Sequence, residues 1–109
     1  MALDRIESCF STCQADNRDA LGIFISAGDP DLTTSTELLL GLPDAGADFV
    51  ELGMPFSDPM ADGPVIQAAS LRAIKAGITM DKVLNMASQF RAKHPDVPLI
   101  LMGYFNPIY

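Results

Sequence analysis

The chain has 109 residues, of which 49% are hydrophobic and 19% charged, a composition typical of one folded domain and not of a disordered chain. Its net charge of −7, with no basic cluster, argues against a protein that binds nucleic acid or an anionic membrane. No apolar run approaches the roughly 20 residues of a membrane-spanning helix, and the acidic N-terminus lacks the apolar core of a signal peptide.

The first predicted element is an amphipathic helix over residues 2–16, in which apolar side chains recur at helical spacing. It carries the only two cysteines, Cys9 and Cys13, four residues apart, where a disulfide is not favoured. With a single histidine in the chain, a zinc site is not expected. Two free thiols and no export signal predict a cytoplasmic protein without a bound metal.

Short apolar runs then alternate with helical stretches. Residues 21–26 form the first predicted strand, and a helix capped by Asp31 or Thr34 and ended by Gly46 follows it. Residues 49–53 form the second predicted strand. Proline and aspartate dominate the loop that comes next.

Two more helices and a strand complete the chain. Gly63 and Pro64 begin one predicted helix, and Gly77 ends it. Thr79 caps the next helix, which ends at His94, expected at the surface near the negative pole of the helix. Residues 99–104 are the third predicted strand.

Strands that alternate with helices predict a parallel α/β sheet built of βαβ units, with right-handed crossovers and the helices outside. The second crossover is longer than the first by the proline-rich loop and one helix. Because α/β folds hold their sites at the carboxyl ends of strands, we expect the site just after the second strand.

Glu51 is an ionisable residue in an apolar strand. Side chains alternate along a strand, so Phe49, Glu51 and Gly53 share one face. A buried carboxylate costs several kcal/mol, as an order of magnitude, unless it is paired or protonated. Two interpretations remain open: a catalytic carboxylate, or one that is salt-bridged or exposed at the strand end. Asp48, where the strand begins, is expected to cap or to face solvent.

Asp62 directly precedes Gly63 and Pro64. The residues alone favour a helix N-cap there, since Asp is preferred at that position, although a cap can also serve a site.

Alternation also predicts an apolar pocket around Glu51. Phe24 and Ser26 share one face of the first strand, and one face of the third is shared by Ile100, Met102 and Tyr104. If these faces look inward with Glu51, the pocket suits a flat aromatic substrate. The alternative is an ordinary apolar core.

The stretch ELGMPFSDPMADGPVIQAA, residues 51–69, resembles the signature region of tryptophan synthase alpha chains. Three flanking motifs stand in the expected order: FISAGDP at 24–30, DAGADFVELG at 44–53 and LMGYFNPI at 101–108. The resemblance implies a (β/α)8 TIM barrel. Residues 1–109 would be an incomplete N-terminal segment of that single domain, with an N-terminal helix and the first three strands with their helices, since such a barrel needs about 250 residues.

The resemblance implies a lyase that cleaves indole-3-glycerol phosphate into indole and glyceraldehyde 3-phosphate. Glu51 then matches the family's proton-transfer residue, and Asp62 matches the aspartate that holds the indole N–H. Phe24, Met102 and Tyr104 match positions that line the indole pocket. Phosphate-binding loops after strands seven and eight would lie outside the segment, so the segment alone is expected to be inactive.

The resemblance also implies a partner, a beta chain that carries pyridoxal phosphate in an α2β2 heterotetramer, while the alpha chain uses no cofactor. Asp58, Pro59, Asn106 and Pro107 would belong to the docking face. Two alternatives remain: an inactive docking module for the beta chain, and another phosphate-binding TIM-barrel enzyme. The latter would be expected to place a lysine near a strand end, whereas all lysines here fall on predicted helices.

Overall fold

A computed structural model describes residues 2–55 and 63–103 of the chain. Its elements, in chain order, are α1 (Ala2–Ala15), β1 (Gly22–Ser26), α2 (Leu32–Gly41), β2 (Phe49–Gly53), α3 (Pro64–Lys75), α4 (Met80–Lys93) and β3 (Leu99–Met102). None of the helices in these two ranges is both long enough and apolar enough to cross a membrane.

The three strands form one parallel sheet in the order β1–β2–β3, as the alternation of strands and helices predicts. Strand β2 spans the predicted residues, and Asp48 directly precedes it. Strand β3 begins at the predicted residue, Leu99, and its described part ends at Met102; Tyr104 lies outside the described residues.

One face of the sheet is covered by helices and holds the core. Val50 and Leu52 of β2 are fully buried there. They belong to a cluster with Leu39 of α2 and with Val83 and Phe90 of α4, all fully buried. Burying a side chain of this size stabilises the fold by about 1.5–3 kcal/mol, so this face accounts for much of the stability of the described part.

The helix starts partly follow the sequence predictions. Asp31 caps α2, since its carboxylate accepts a hydrogen bond from the Thr34 backbone N–H at 2.8 Å, and Thr34 therefore lies inside the helix. Thr79 caps α4 as predicted. The N-cap position of α3 is Gly63, which makes no side-chain cap hydrogen bond. Asp62, for which the residues alone favour a cap, lies outside the described residues.

Helix α2 is shorter than predicted. It ends at Gly41, with Leu42 as its C-cap, and turns continue to Gly46, whose φ is +120°. Pro43 explains the early end because it has no backbone N–H to donate to the carbonyl of Leu39.

The amino ends of the strands are tied together by Asp48. Its carboxylate accepts hydrogen bonds from the Arg18 guanidinium at 2.9 Å and from the Leu21 backbone N–H at 2.8 Å. These two donors lower the pKa of Asp48 from 3.8 to about 2. Of the two expectations for Asp48, capping or facing solvent, the hydrogen bond from the Leu21 N–H agrees with the first. Cys9 and Cys13 are both free thiols, also as predicted.

His94 is not the surface residue that the sequence predicts. It is half-buried, with a ring nitrogen 2.8 Å from the carbonyl oxygen of Leu40 and its ring 5.2 Å from that of Phe90. The prediction failed because the partner on α2 lies 54 residues away in the chain. His94 thus joins the end of α4 to α2.

Candidate active site

The face of the sheet opposite the helix-covered core carries the side chains that the sequence predicts to share a pocket. In the parallel register, Glu51 is the partner of both Phe24 and Ile100, and Gly53 is the partner of both Ser26 and Met102. Residues in register point to the same side of a parallel sheet. The prediction that Phe24, Ser26, Glu51, Ile100 and Met102 share a face is therefore confirmed.

Glu51 is half-buried at the centre of this face. Within residues 2–55 and 63–103, its carboxylate has no hydrogen bond and no ion pair. The described residues thus provide no salt bridge that explains an acid in an apolar strand. Solvent still reaches the group, since no buried, unsatisfied side-chain atom is found in the described part. A carboxylate of this kind is available to exchange a proton with a bound molecule.

The ring of Phe24 lies against Gly53. A Cβ built on Gly53 would come within 2.5 Å of the far end of that ring, so no larger residue fits there without displacing Phe24. The absence of a side chain at Gly53 therefore lets the ring cross from β1 onto β2, toward the carboxyl end of the strand that carries Glu51. Phe24 itself is half-buried.

Ser35 of α2 holds the loop after β1 through two hydrogen bonds. The fully buried hydroxyl accepts a hydrogen bond from the Gly28 N–H at 2.9 Å and donates one to the carbonyl of Ser26 at 3.4 Å. Gly28 has a φ of +86°, a conformation that favours glycine. Ile78 packs so closely against Gly28 that an added Cβ would lie 2.8 Å from it.

Helix α3 is tied to the same loop by an ion pair. The Arg72 guanidinium donates two hydrogen bonds to the Asp29 carboxylate, at 2.8 Å from Nε and 3.1 Å from Nη2. Sequence reasoning missed this pair because its members are 43 residues apart and lie on different elements. The one local signal is that Asp29 follows directly after an apolar strand and Gly28.

The structure places three of the five residues proposed for catalysis and substrate binding: Glu51, Phe24 and Met102. Phe24 lies on the shared face, and Met102 lies at the end of β3 with 43% of its surface exposed. The remaining predicted site and interface residues lie outside the described residues: Asp58, Pro59, Asp62, Tyr104, Asn106 and Pro107. No group of three or more potential metal-binding side chains occurs in the part that the structure describes.

The chain matches a known family over most of its length. Residues 10–109 match the family model for the tryptophan synthase alpha chain. A similar solved structure is tryptophan synthase subunit alpha from Legionella pneumophila strain Paris, at 48% identity and a TM-score of 0.89, over 95% of this chain and 40% of that one.

Two further solved structures are similar. A protein from Aquifex aeolicus VF5 is 40% identical with a TM-score of 0.90, over 95% of this chain and 41% of that one. The aminoacrylate-bound form of tryptophan synthase from Mycobacterium tuberculosis is 32% identical with a TM-score of 0.88, over 95% of this chain and 42% of that one. The chain therefore spans about two fifths of the length of these solved relatives.

Proposed function

The chain belongs to the tryptophan synthase alpha chain family, and from that premise we propose that it acts in tryptophan biosynthesis as part of a lyase. Its three parallel strands and their helices correspond to the N-terminal part of a TIM barrel. The proposed reaction is cleavage of indole-3-glycerol phosphate into indole and glyceraldehyde 3-phosphate. The observation that carries the proposal is the half-buried carboxylate of Glu51 on the face opposite the helix-covered core, where it has no hydrogen bond or ion pair with residues 2–55 and 63–103.

The proposed reaction is a retro-aldol cleavage, and it needs two proton transfers. The hydroxyl on the carbon next to the ring loses a proton as that carbon becomes a carbonyl, and C3 of the indole gains a proton as the carbon–carbon bond breaks. We assign proton transfer to Glu51 because a carboxylate without an ion pair can both accept and return a proton. We assign to Asp62 the hydrogen bond from the indole N–H, where a negative charge offsets the positive charge that C3 protonation places on the ring.

Substrate binding is proposed to use the apolar side chains beside Glu51. The ring of Phe24 lies against Gly53, and Met102 is the register partner of Gly53, so both apolar side chains border the carboxyl end of β2, where we propose that the indole ring binds. Aromatic and thioether groups bind such rings through dispersion and edge contacts. Tyr104, two residues beyond Met102, is proposed to complete this pocket.

The proposal extends to location and partner. We propose a cytoplasmic protein that docks on a beta chain in an α2β2 heterotetramer, through Asp58, Pro59, Asn106 and Pro107. The solved relatives include structures described as tryptophan synthase. Pyridoxal phosphate is proposed to reside on the beta chain alone. The alternative of a barrel enzyme with a strand-end lysine has no support, since Lys75, Lys82 and Lys93 all lie on helices.

The catalytic assignments are tested by Glu51→Gln and Asp62→Asn in the full-length protein, with cleavage of indole-3-glycerol phosphate as the assay. Each substitution keeps the size of the side chain and removes its charge. We expect kcat/KM to fall on the order of 10²-fold or more in each variant, the effect typical of a lost proton-transfer group. Glu37→Gln is the matched control because Glu37 is exposed on α2.

Activity of either variant within about twofold of the parent would remove that residue from the mechanism. An inactive parent that still binds a beta chain would instead support the docking-module interpretation. Binding is measured by titration calorimetry with the purified beta chain, and cleavage is measured separately by indole release.

A further inference from the structure

Phe49 lies two residues before Glu51 on β2, and side chains two residues apart on a strand point to the same face of the sheet. Its register partner on β1 is Gly22. A Cβ built on Gly22 would overlap the far end of the Phe49 ring, so the ring lies across β1 in the space that a larger residue would fill. One aromatic ring therefore occupies this face on the amino side of Glu51.

Helix α1 lies at the amino ends of the strands and is fixed there by hydrogen bonds. The Cys9 thiol donates to the backbone carbonyl of Asp48, the residue directly before β2, at 3.4 Å. The Arg5 guanidinium donates to the carbonyl of Pro95, in the segment that leads into β3, at 2.8 Å. Both acceptors are backbone atoms, so these contacts hold the position of α1 relative to the sheet.

Phe10 of α1 packs on the ring of Phe49. The two ring centroids are 5.9 Å apart and the ring planes are inclined at 44°, an arrangement that aromatic pairs favour. Phe10 is 51% exposed, so it supports Phe49 more than it fills the core. We call these two rings the aromatic floor, because they close the amino side of the face that carries Glu51.

The aromatic floor limits the directions in which the Glu51 carboxylate can turn. Neither ring has a polar group, and Gly22 has no side chain. A carboxylate turned against them would lose water without gaining a hydrogen bond, which is unfavourable. The carboxylate is therefore favoured on the opposite side, toward the carboxyl ends of the strands, where Phe24 and Met102 lie.

We propose that Phe49 and Phe10 are positioning residues for Glu51, which keep its carboxylate turned toward the carboxyl ends of the strands. Phe49 acts as the wall next to the acid, and Phe10 acts through Phe49. The inference rests on the proposed function, since it needs Glu51 to transfer a proton. Neither ring is assigned a contact with substrate.

The test compares Phe49→Ala with Ile23→Ala in the full-length protein, measuring kcat, KM and the midpoint of thermal unfolding. Both changes shorten an apolar side chain of the sheet, but Ile23 packs against the helix-covered core. We expect Phe49→Ala to lower kcat about tenfold and to leave KM within about threefold of the parent, because a misplaced catalytic group slows the chemical step. Ile23→Ala is expected to lower the unfolding midpoint and to leave kcat within about twofold.

Two further variants separate positioning from a general loss of structure. Gly22→Val in the Phe49→Ala background refills the space of the ring from β1, so it is expected to restore kcat to within about threefold of the parent. Phe10→Ala removes only the supporting ring and is expected to lower kcat about fivefold. In the Phe49→Ala background, Phe10→Ala is expected to cost nothing more, because the group through which it acts is already removed.

A folded Phe49→Ala protein with kcat within about twofold of an active parent overturns the positioning role, and so does an equal loss of kcat in Ile23→Ala. If Phe49→Ala does not fold, Phe10→Ala decides: a kcat like that of the parent overturns the role, and the expected loss supports it. A parent that does not cleave indole-3-glycerol phosphate contradicts the proposed function, and the positioning role fails with it. The two failures differ in whether the unmodified protein is active.

Discussion

Asp48 makes the stability of the fold depend on pH in a defined range. Its folded pKa, about 2, is below the ordinary 3.8, so the stabilisation is complete above pH 4 and is lost as the pH falls through the folded value. We expect the free energy of unfolding to drop by about 1 kcal/mol from this group, a value reduced because Arg18 is exposed to screening. Urea titrations of the full-length protein at roughly pH 2 to 6 measure this drop, because that range contains the folded and the ordinary pKa of Asp48.

Asp48→Asn should remove that part of the pH dependence, since an amide does not titrate. Asp44→Asn is the control because Asp44 is 74% exposed and its contact with Lys93 is 3.9 Å long. Equal pH profiles for the parent and Asp48→Asn would show that the hydrogen bonds from Arg18 and Leu21 carry no charge-dependent stability.

Single residues show what sequence reasoning could and could not reach. Glu51 stood out because an acid within an apolar strand is visible from local alternation alone. Arg72 and His94 did not, since their partners Asp29 and Leu40 are 43 and 54 residues away and only the tertiary fold brings them together. Local patterns therefore identify the acid in the strand and miss the pairs that hold the loop after β1 and the end of α4.

At the scale of elements, the first βα loop depends on one buried hydroxyl. Ser35→Ala leaves the Gly28 N–H without its partner in a buried position, which costs about 1–3 kcal/mol. We expect the free energy of unfolding to fall by that amount in denaturant titrations. Thr33→Ala, at an exposed position of the same helix, should change it by less than about 0.5 kcal/mol. A Ser35→Ala protein as stable as the Thr33→Ala protein would mean that water or a backbone shift replaces the hydroxyl.

Element boundaries followed local chemistry where one residue dominated. The alternation around Glu51 fixed β2, and Thr79 fixed the start of α4. The sequence predicts the end of α2 at Gly46, but the helix ends at Gly41 because Pro43 removes a helical hydrogen bond earlier in the chain. Asp31 and Thr34 are both candidates for the N-cap of α2. Which of them caps the helix depends on backbone angles that the sequence does not contain.

At the scale of the molecule, the sheet formed by the described residues has two open edges. Strands β1 and β3 each pair with β2 alone, and Leu101 and Met102 are exposed on β3. The similar solved structures have chains about two and a half times longer. The parallel sheet itself could be predicted from alternating elements, whereas closure of a barrel came from the family resemblance.

Residues 1–109 produced alone are therefore expected to associate or to lack cooperative structure. Unpaired strand edges bind one another, and a half-covered apolar face favours self-association. Light scattering behind size exclusion, with a thermal melt, checks this. A monodisperse monomer with a sharp melt and well-dispersed NMR signals would contradict it, and a full-length sample run in parallel is the control.

Because β1, β2 and β3 pair in strict register, the face on which each side chain of β2 lies depends on the number of residues before it in the strand. Deleting one residue between Asp48 and Glu51 would exchange the faces of Glu51 and Leu52, sending a carboxylate into the helix-covered core and a leucine into the pocket. Deletion of two residues would restore the side but shift the level by one pair. Transfer of this site to another barrel must therefore keep the number of residues between the start of the strand and Glu51, and not only the acidic residue.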